Sequence, residues 1–153
     1  MVAAVAAAAT LPPSILSAQG MGPARKSGWW EMTMQMSAPA PMTHRMNVCV
    51  DASQDAEGGA LQGRPDQKTP GECKAGPVGR TATGWTFSSV CTMRGMTMDT
   101  RGVASGDFQG NYRVESTTRM SPAPMPQMAE TKTVILGKFM GACPSNRKAG
   151  QVW

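Results

Sequence analysis

The chain has 153 residues, with 14 Met, four Trp, three Phe, one Tyr and a net charge of +5 at neutral pH. That length holds one domain, and a hydrophobic share of 41% with so modest a charge excludes a highly charged disordered chain. Leu, Ile and Phe are sparse, so methionine, a flexible hydrophobe, has to supply much of any core.

Residues 1–20, MVAAVAAAATLPPSILSAQG, hold no charged residue. An apolar stretch, the Pro12-Pro13 break and the small residues Ala18 and Gly20 read as an atypical export signal cut after Gly20, lacking the usual basic start. The segment is too short and too interrupted to span a membrane. Residues 21–28 follow as a basic linker, 29–144 as a single β domain and 145–153 as a C-terminal tail.

In residues 29–36, Trp30, Met32, Met34 and Met36 alternate with Trp29, Glu31, Thr33 and Gln35. Period two with one apolar face predicts a half-buried strand. The prolines of SAPAP end it, and residues 43–50 return with Met46, Val48 and Val50 on one face. Residues 51–72 are polar and glycine-rich, a long connection with one helical turn expected near Ser53–Glu57. Residues 73–91 read as a hairpin centred on TATG that sets Cys73 opposite Cys91. A second hairpin spans 94–103 and 108–120 around ASGD, and 131–140 forms a last strand. The expectation is an all-β domain of about seven strands, an antiparallel sandwich or a curved, barrel-like sheet. One echo recurs along the chain: MSAPAPM at 36–42 and MSPAPMPQM at 120–128, two Met-Pro loops between strands.

Cys49, Cys73, Cys91 and Cys143 are too widely spaced for a CxxC or zinc-knuckle motif. Four separated cysteines read as two disulfides in an oxidising compartment. If Cys73 pairs with Cys91, Cys49 pairs with Cys143. In a plain up-and-down meander those two would lie at opposite ends of the sheet, beyond the roughly 7 Å Cα reach of a disulfide. The conflict disappears if residues 51–72 cross the height of the sheet and re-enter from the other end, which also brings both Met-Pro loops to one end.

The landmarks form an ordered set: Gly28-Trp29-Trp30-Glu31-Met32-Thr33, Val48-Cys49-Val50, Gly71-Glu72-Cys73, Trp85 through Cys91, and Gly141-Ala142-Cys143-Pro144. Their order resembles the proteobacterial family of unknown function DUF3617 over about residues 27–144. The resemblance implies a small periplasmic or secreted all-β protein with structural cysteines. It implies no activity.

Two candidate sites stand out. Trp30, Trp85, Met32 and Met34 could line a pocket for a small apolar ligand, because methionine adapts to varied shapes. Alternatively, Met42, His44 and Met46 share one strand face, and Met125 and Met128 would join them from the second Met-Pro loop. Thioethers with an imidazole suit copper(I) or silver(I), although side chains two apart on a strand stand about 6.5–7 Å apart and need a bend to share an ion.

No catalytic constellation appears. There is one histidine, the cysteines are expected to be oxidised, and neither an HExxH motif nor a phosphate-binding glycine loop occurs. Arg25, Lys26, Arg94, Arg101, Arg113, Arg119, Arg147 and Lys148 are scattered, which reads as a solvated face and not as a nucleic-acid module. The overall expectation is an exported non-catalytic protein without a cofactor, an envelope component or a carrier of a small apolar ligand.

Overall fold

The computed structural model describes residues 22–55 and 71–153. The expected leader, 1–20, and the middle of the 51–72 connection lie outside the described residues.

Alternating apolar and polar side chains build eight strands into one antiparallel sheet. They are β1 (Gly28–Met36), β2 (Met42–Val50), β3 (Glu72–Ala75), β4 (Gly79–Thr81), β5 (Gly84–Met93), β6 (Met96–Gly106), β7 (Asn111–Ser121) and β8 (Glu130–Gly141). Their order in space is β2-β1-β8-β7-β6-β5-β3, with β4 also pairing β5. The sheet does not close, so the architecture is a single open sheet and not a two-layer sandwich.

Eight strands replace the expected seven because the first arm of the 73–91 hairpin is split. Cys73 faces Cys91 and Ala75 faces Ser89, but Gly79 then faces Thr86, leaving one extra residue opposite Phe87. Pro77 lies in that interval and has no N–H to give to the ladder, so the break falls there. The short, split edge also limits strand-to-strand aggregation. Between β5 and β6 the turn residues Arg94 and Gly95 both have positive φ, 49° and 78°, the backbone twist that a two-residue hairpin loop needs.

The predicted crossover is present at its two ends. β2 finishes at Val50, opposite Gly28, whereas β3 starts at Glu72, opposite Thr92 and beside the Met93–Met96 turn at the other end of the sheet. The single helical turn expected near Ser53–Glu57 is α1 (Ala52–Asp55). Both disulfides form, Cys49–Cys143 and Cys73–Cys91, with Cα atoms 5.6 and 4.0 Å apart. They close 94 and 18 residues, worth about 5 and about 3 kcal/mol in the chain-entropy account. The two Met-Pro loops share one end, where Ser37 N–H donates to the Lys132 carbonyl at 3.0 Å and Lys132 N–H donates to Ser37 Oγ at 2.9 Å.

The core gathers at the opposite end, on one face. Trp30, Val48, Val50, Phe87, Ala104, Phe108, Tyr112 and Val114 are buried together. Trp30 is wholly buried, with Tyr112 and Phe139 rings 5.3 and 5.5 Å away, and its indole N–H donates to the Lys26 carbonyl at 2.8 Å.

Two segments that composition marked as linker and tail belong to this packing. Arg25 is not a solvated cation: it is 8% exposed and lies against Tyr112 and Asp55. Its charge is tolerable inside because Nε, Nη1 and Nη2 each find an acceptor, the Asp55 carboxylate above all. In the tail, Asn47 and Trp153 exchange backbone hydrogen bonds at 2.8 and 3.0 Å, and Val152 bridges Val48. The tail thus covers the free edge of β2. Its last ring, Trp153, sits 6.2 Å from Trp29 with the Arg147 guanidinium over it.

Candidate functional site

Residues opposed in an antiparallel ladder share a face, so the registers divide the sheet into two surfaces. On the Trp30 surface, the end nearest Gly28 holds the aromatic core. The end nearest the Met-Pro loops holds methionine and hydroxyl side chains instead. Met34 is opposite His44, Met36 opposite Met42 and Met32 opposite Met46. Across the sheet Met93 is opposite Met96 and Met98 opposite Met120. Between the two groups the Thr100 and Thr118 hydroxyls are hydrogen-bonded at 2.8 Å. These side chains are half-buried, except His44, which is exposed, and Met42, which is 47% exposed.

The four residues expected to line an apolar pocket lie on this surface but are not equivalent. Trp30 is sealed in the core and Trp85 packs against it, with Arg80 over its ring. Met32 also packs on the core, and its sulfur accepts a long contact of 3.6 Å from Arg25 Nη1. Met34 alone of the four belongs to the methionine half.

Of the proposed soft-metal set, Met42, His44 and Met46 do share one face of β2. Met125 and Met128 occupy the β7–β8 loop at the same end, so β1 and β8 stand between them and β2. The Met125 sulfur accepts from Gln127 Nε2 at 3.5 Å. Among the described residues no group of three His, Cys, Asp or Glu could hold a metal ion.

The opposite surface is polar. An open trough of about 890 Å³ runs across β5–β8, lined by Ser88, Arg101, Glu115, Thr117, Arg119 and Lys132 among others. Its charges are largely paired, Arg101 with Asp99 and Arg119 with Glu130, at 3.3 and 3.1 Å. Exposed pairs of this kind contribute little energy. None of the residues expected to bind a ligand or metal lines this trough; Arg101 and Arg119, read from the sequence as part of a solvated face, do.

The buried polar cluster was also hidden from the sequence. Arg25 Nε and Nη2 grip Asp55 at 3.0 and 2.7 Å, and Nη1 reaches the Tyr112 hydroxyl at 3.3 Å. Burial alone would lower the Arg25 pKa, but the Asp55 hydrogen bonds and charge outweigh it and hold the guanidinium above its ordinary value. Burial, the largest influence, pushes the Tyr112 phenol up against the opposing pull of Arg25. Enclosed and hydrogen-bonded, this cluster fastens the segment before β1 to α1.

The fold and this surface define a small open-sheet β-domain stapled by two disulfides. A family model described as a protein of unknown function, DUF3617, matches residues 25–143, and the chain belongs to that family. No curated protein and no solved structure matches it. No helix among the described residues is long and apolar enough to cross a membrane.

Proposed function

We propose that the chain is an exported, non-catalytic domain that binds a small apolar ligand on the methionine half of its sheet. The observation that carries this reading is the division of one surface into a sealed aromatic half and a half-exposed methionine half. Packing accounts for the first. The second exposes adaptable thioethers among hydroxyls, the mixture expected of a surface that accepts apolar molecules. Export is supported by the two bridges, since disulfides persist in oxidising compartments. A non-catalytic role is supported by the lone histidine facing a methionine and by four bonded cysteines.

The test is saturable binding of the apolar dye 1-anilinonaphthalene-8-sulfonate to the intact, disulfide-bonded chain. Met98→Gln combined with Met120→Gln is expected to weaken binding, whereas Met140→Gln, at the far end of β8, is expected to leave it unchanged. Equal binding by both variants would contradict the reading.

A further inference from the structure

The pairing of β1 with β2 does something that β2 alone cannot. His44 is the only histidine, it is exposed, and neither ring nitrogen has a hydrogen-bond partner among the described residues. Met34 stands directly across the ladder from it, and the next pair toward the turn is Met36 with Met42. Cβ atoms of opposed residues are about 4.5–5.5 Å apart, against about 6.8 Å for neighbours two apart on one strand. Four donor side chains therefore mark the corners of a small parallelogram on one face. A methionine has three rotatable bonds, enough for its sulfur to lean toward the centre. The separation that keeps Met42, His44 and Met46 from sharing an ion along β2 is overcome from β1.

The direction of the site along the ladder follows from charge. On the core side of His44 the pair is Met32 with Met46, and the Met32 sulfur already faces the Arg25 guanidinium at 3.6 Å. A second cation there would meet a fixed positive charge. Toward the turn, Met34, Met36 and Met42 have no such neighbour on their face. Three thioethers and an imidazole offer soft, neutral donors and no oxygen, which favours monovalent copper or silver over calcium or magnesium. All four cysteines are bonded to each other, so no thiolate competes for the ion.

We propose that Met34, Met36, Met42 and His44, brought together across the β1–β2 ladder, bind one soft monovalent cation, copper(I) or silver(I). The site does not require the apolar ligand, whose tested contacts lie across the sheet on β6 and β7.

Silver(I) titrated into the intact disulfide-bonded chain tests the assignment, read by native mass spectrometry and by NMR of ¹³C-methyl methionines. A one-to-one complex is expected, moving the methyl signals of Met34, Met36 and Met42 and the ring signals of His44. The methyls of Met98, Met120, Met125 and Met128 are expected to stay in place. His44→Ala and Met34→Leu should each weaken binding about tenfold or more, as loss of a supporting group at a metal site does. Met125→Leu should not. Leucine nearly conserves the volume of methionine and His44 is exposed, so the variants keep the fold, and an unchanged circular dichroism spectrum confirms it. Absence of a complex, binding that survives both substitutions, or shifts confined to the other methionines would overturn the assignment. The dye titration of the methionine half reads the apolar reading separately, so either can fail alone.

Discussion

The Arg25 guanidinium and the Asp55 carboxylate form a two-pronged ion pair, with Nη2–Oδ1 at 2.7 Å and Nε–Oδ2 at 3.0 Å. Both side chains are less than a tenth exposed, and the Arg25 backbone N–H donates to the same carboxylate at 2.7 Å. One contact therefore fastens the segment before β1 to the start of the crossover, over the ring of Tyr112. Asp55→Ala should cost about 3–5 kcal/mol, because it leaves a buried guanidinium uncompensated. Replacing both, Arg25→Met with Asp55→Leu, should recover most of that loss. Urea unfolding of the single and double variants measures the difference, and a double variant as weak as the single would contradict the ion-pair account.

Gly137 lies opposite Tyr112 in the β7–β8 ladder, and a Cβ built there would overlap the tyrosine ring. Gly137→Ala should push the ring off the Trp30 and Phe108 stack and cost about 1–3 kcal/mol, the usual range for overpacking. Gly110→Ala, whose added Cβ would make only ordinary contact at 3.6 Å, is the matched control for thermal unfolding.

Asp107 makes the β6–β7 turn depend on pH. Its Oδ1 accepts the N–H groups of Gly110, Gln109 and Asn111 at 2.8, 2.9 and 3.1 Å. These bonds, that of Gly110 foremost, hold the carboxyl below its ordinary pKa. They also brace Phe108, a non-glycine residue at φ 56° whose ring stacks on Tyr112 at 5.1 Å. A carboxyl depressed on folding stabilises the native state above its unfolded pKa of about 3.9 and loses that contribution as pH falls through the lower native value. The advantage of the natural protein over Asp107→Asn should be full at neutral pH and shrink in acid. Denaturant midpoints at both ends of that range check it, and a difference independent of pH would contradict it.

Removal of residues 145–153 should expose the β2 edge that Asn47, Val48 and Cys49 now share with the tail. An uncovered edge strand invites pairing with another chain. Sedimentation of the truncated protein should show more self-association than the full chain under the same conditions, and an unchanged distribution would contradict this role.

Much of the fold was legible because it follows local rules. Trp30, Met32, Met34 and Met36 announce a strand by their period, and the four cysteines, read against chain reach, called for the crossover that Val50 and Glu72 now bracket. What was not legible depends on distant partners. Nothing beside Arg25 signals Asp55, 30 residues on, so Arg25 reads as one more solvated cation. The bulge at Pro77 hides inside a register that starts correctly at Cys73. At the candidate site the sequence identified His44 and Met42 from their spacing on one strand. It could not supply Met34 and Met36 as their cross-strand neighbours, because register across β1–β2 decides that and spacing along β2 does not.

Native mass spectrometry of the full chain, recovered under non-reducing conditions from the extracytoplasmic fraction of the cells that express it, tests the reading most directly. The expected result is a processed chain lacking all four thiol hydrogens, bridged 49–143 and 73–91 and carrying a small apolar adduct. Protein retained in the cytoplasm with free thiols and no adduct would contradict it.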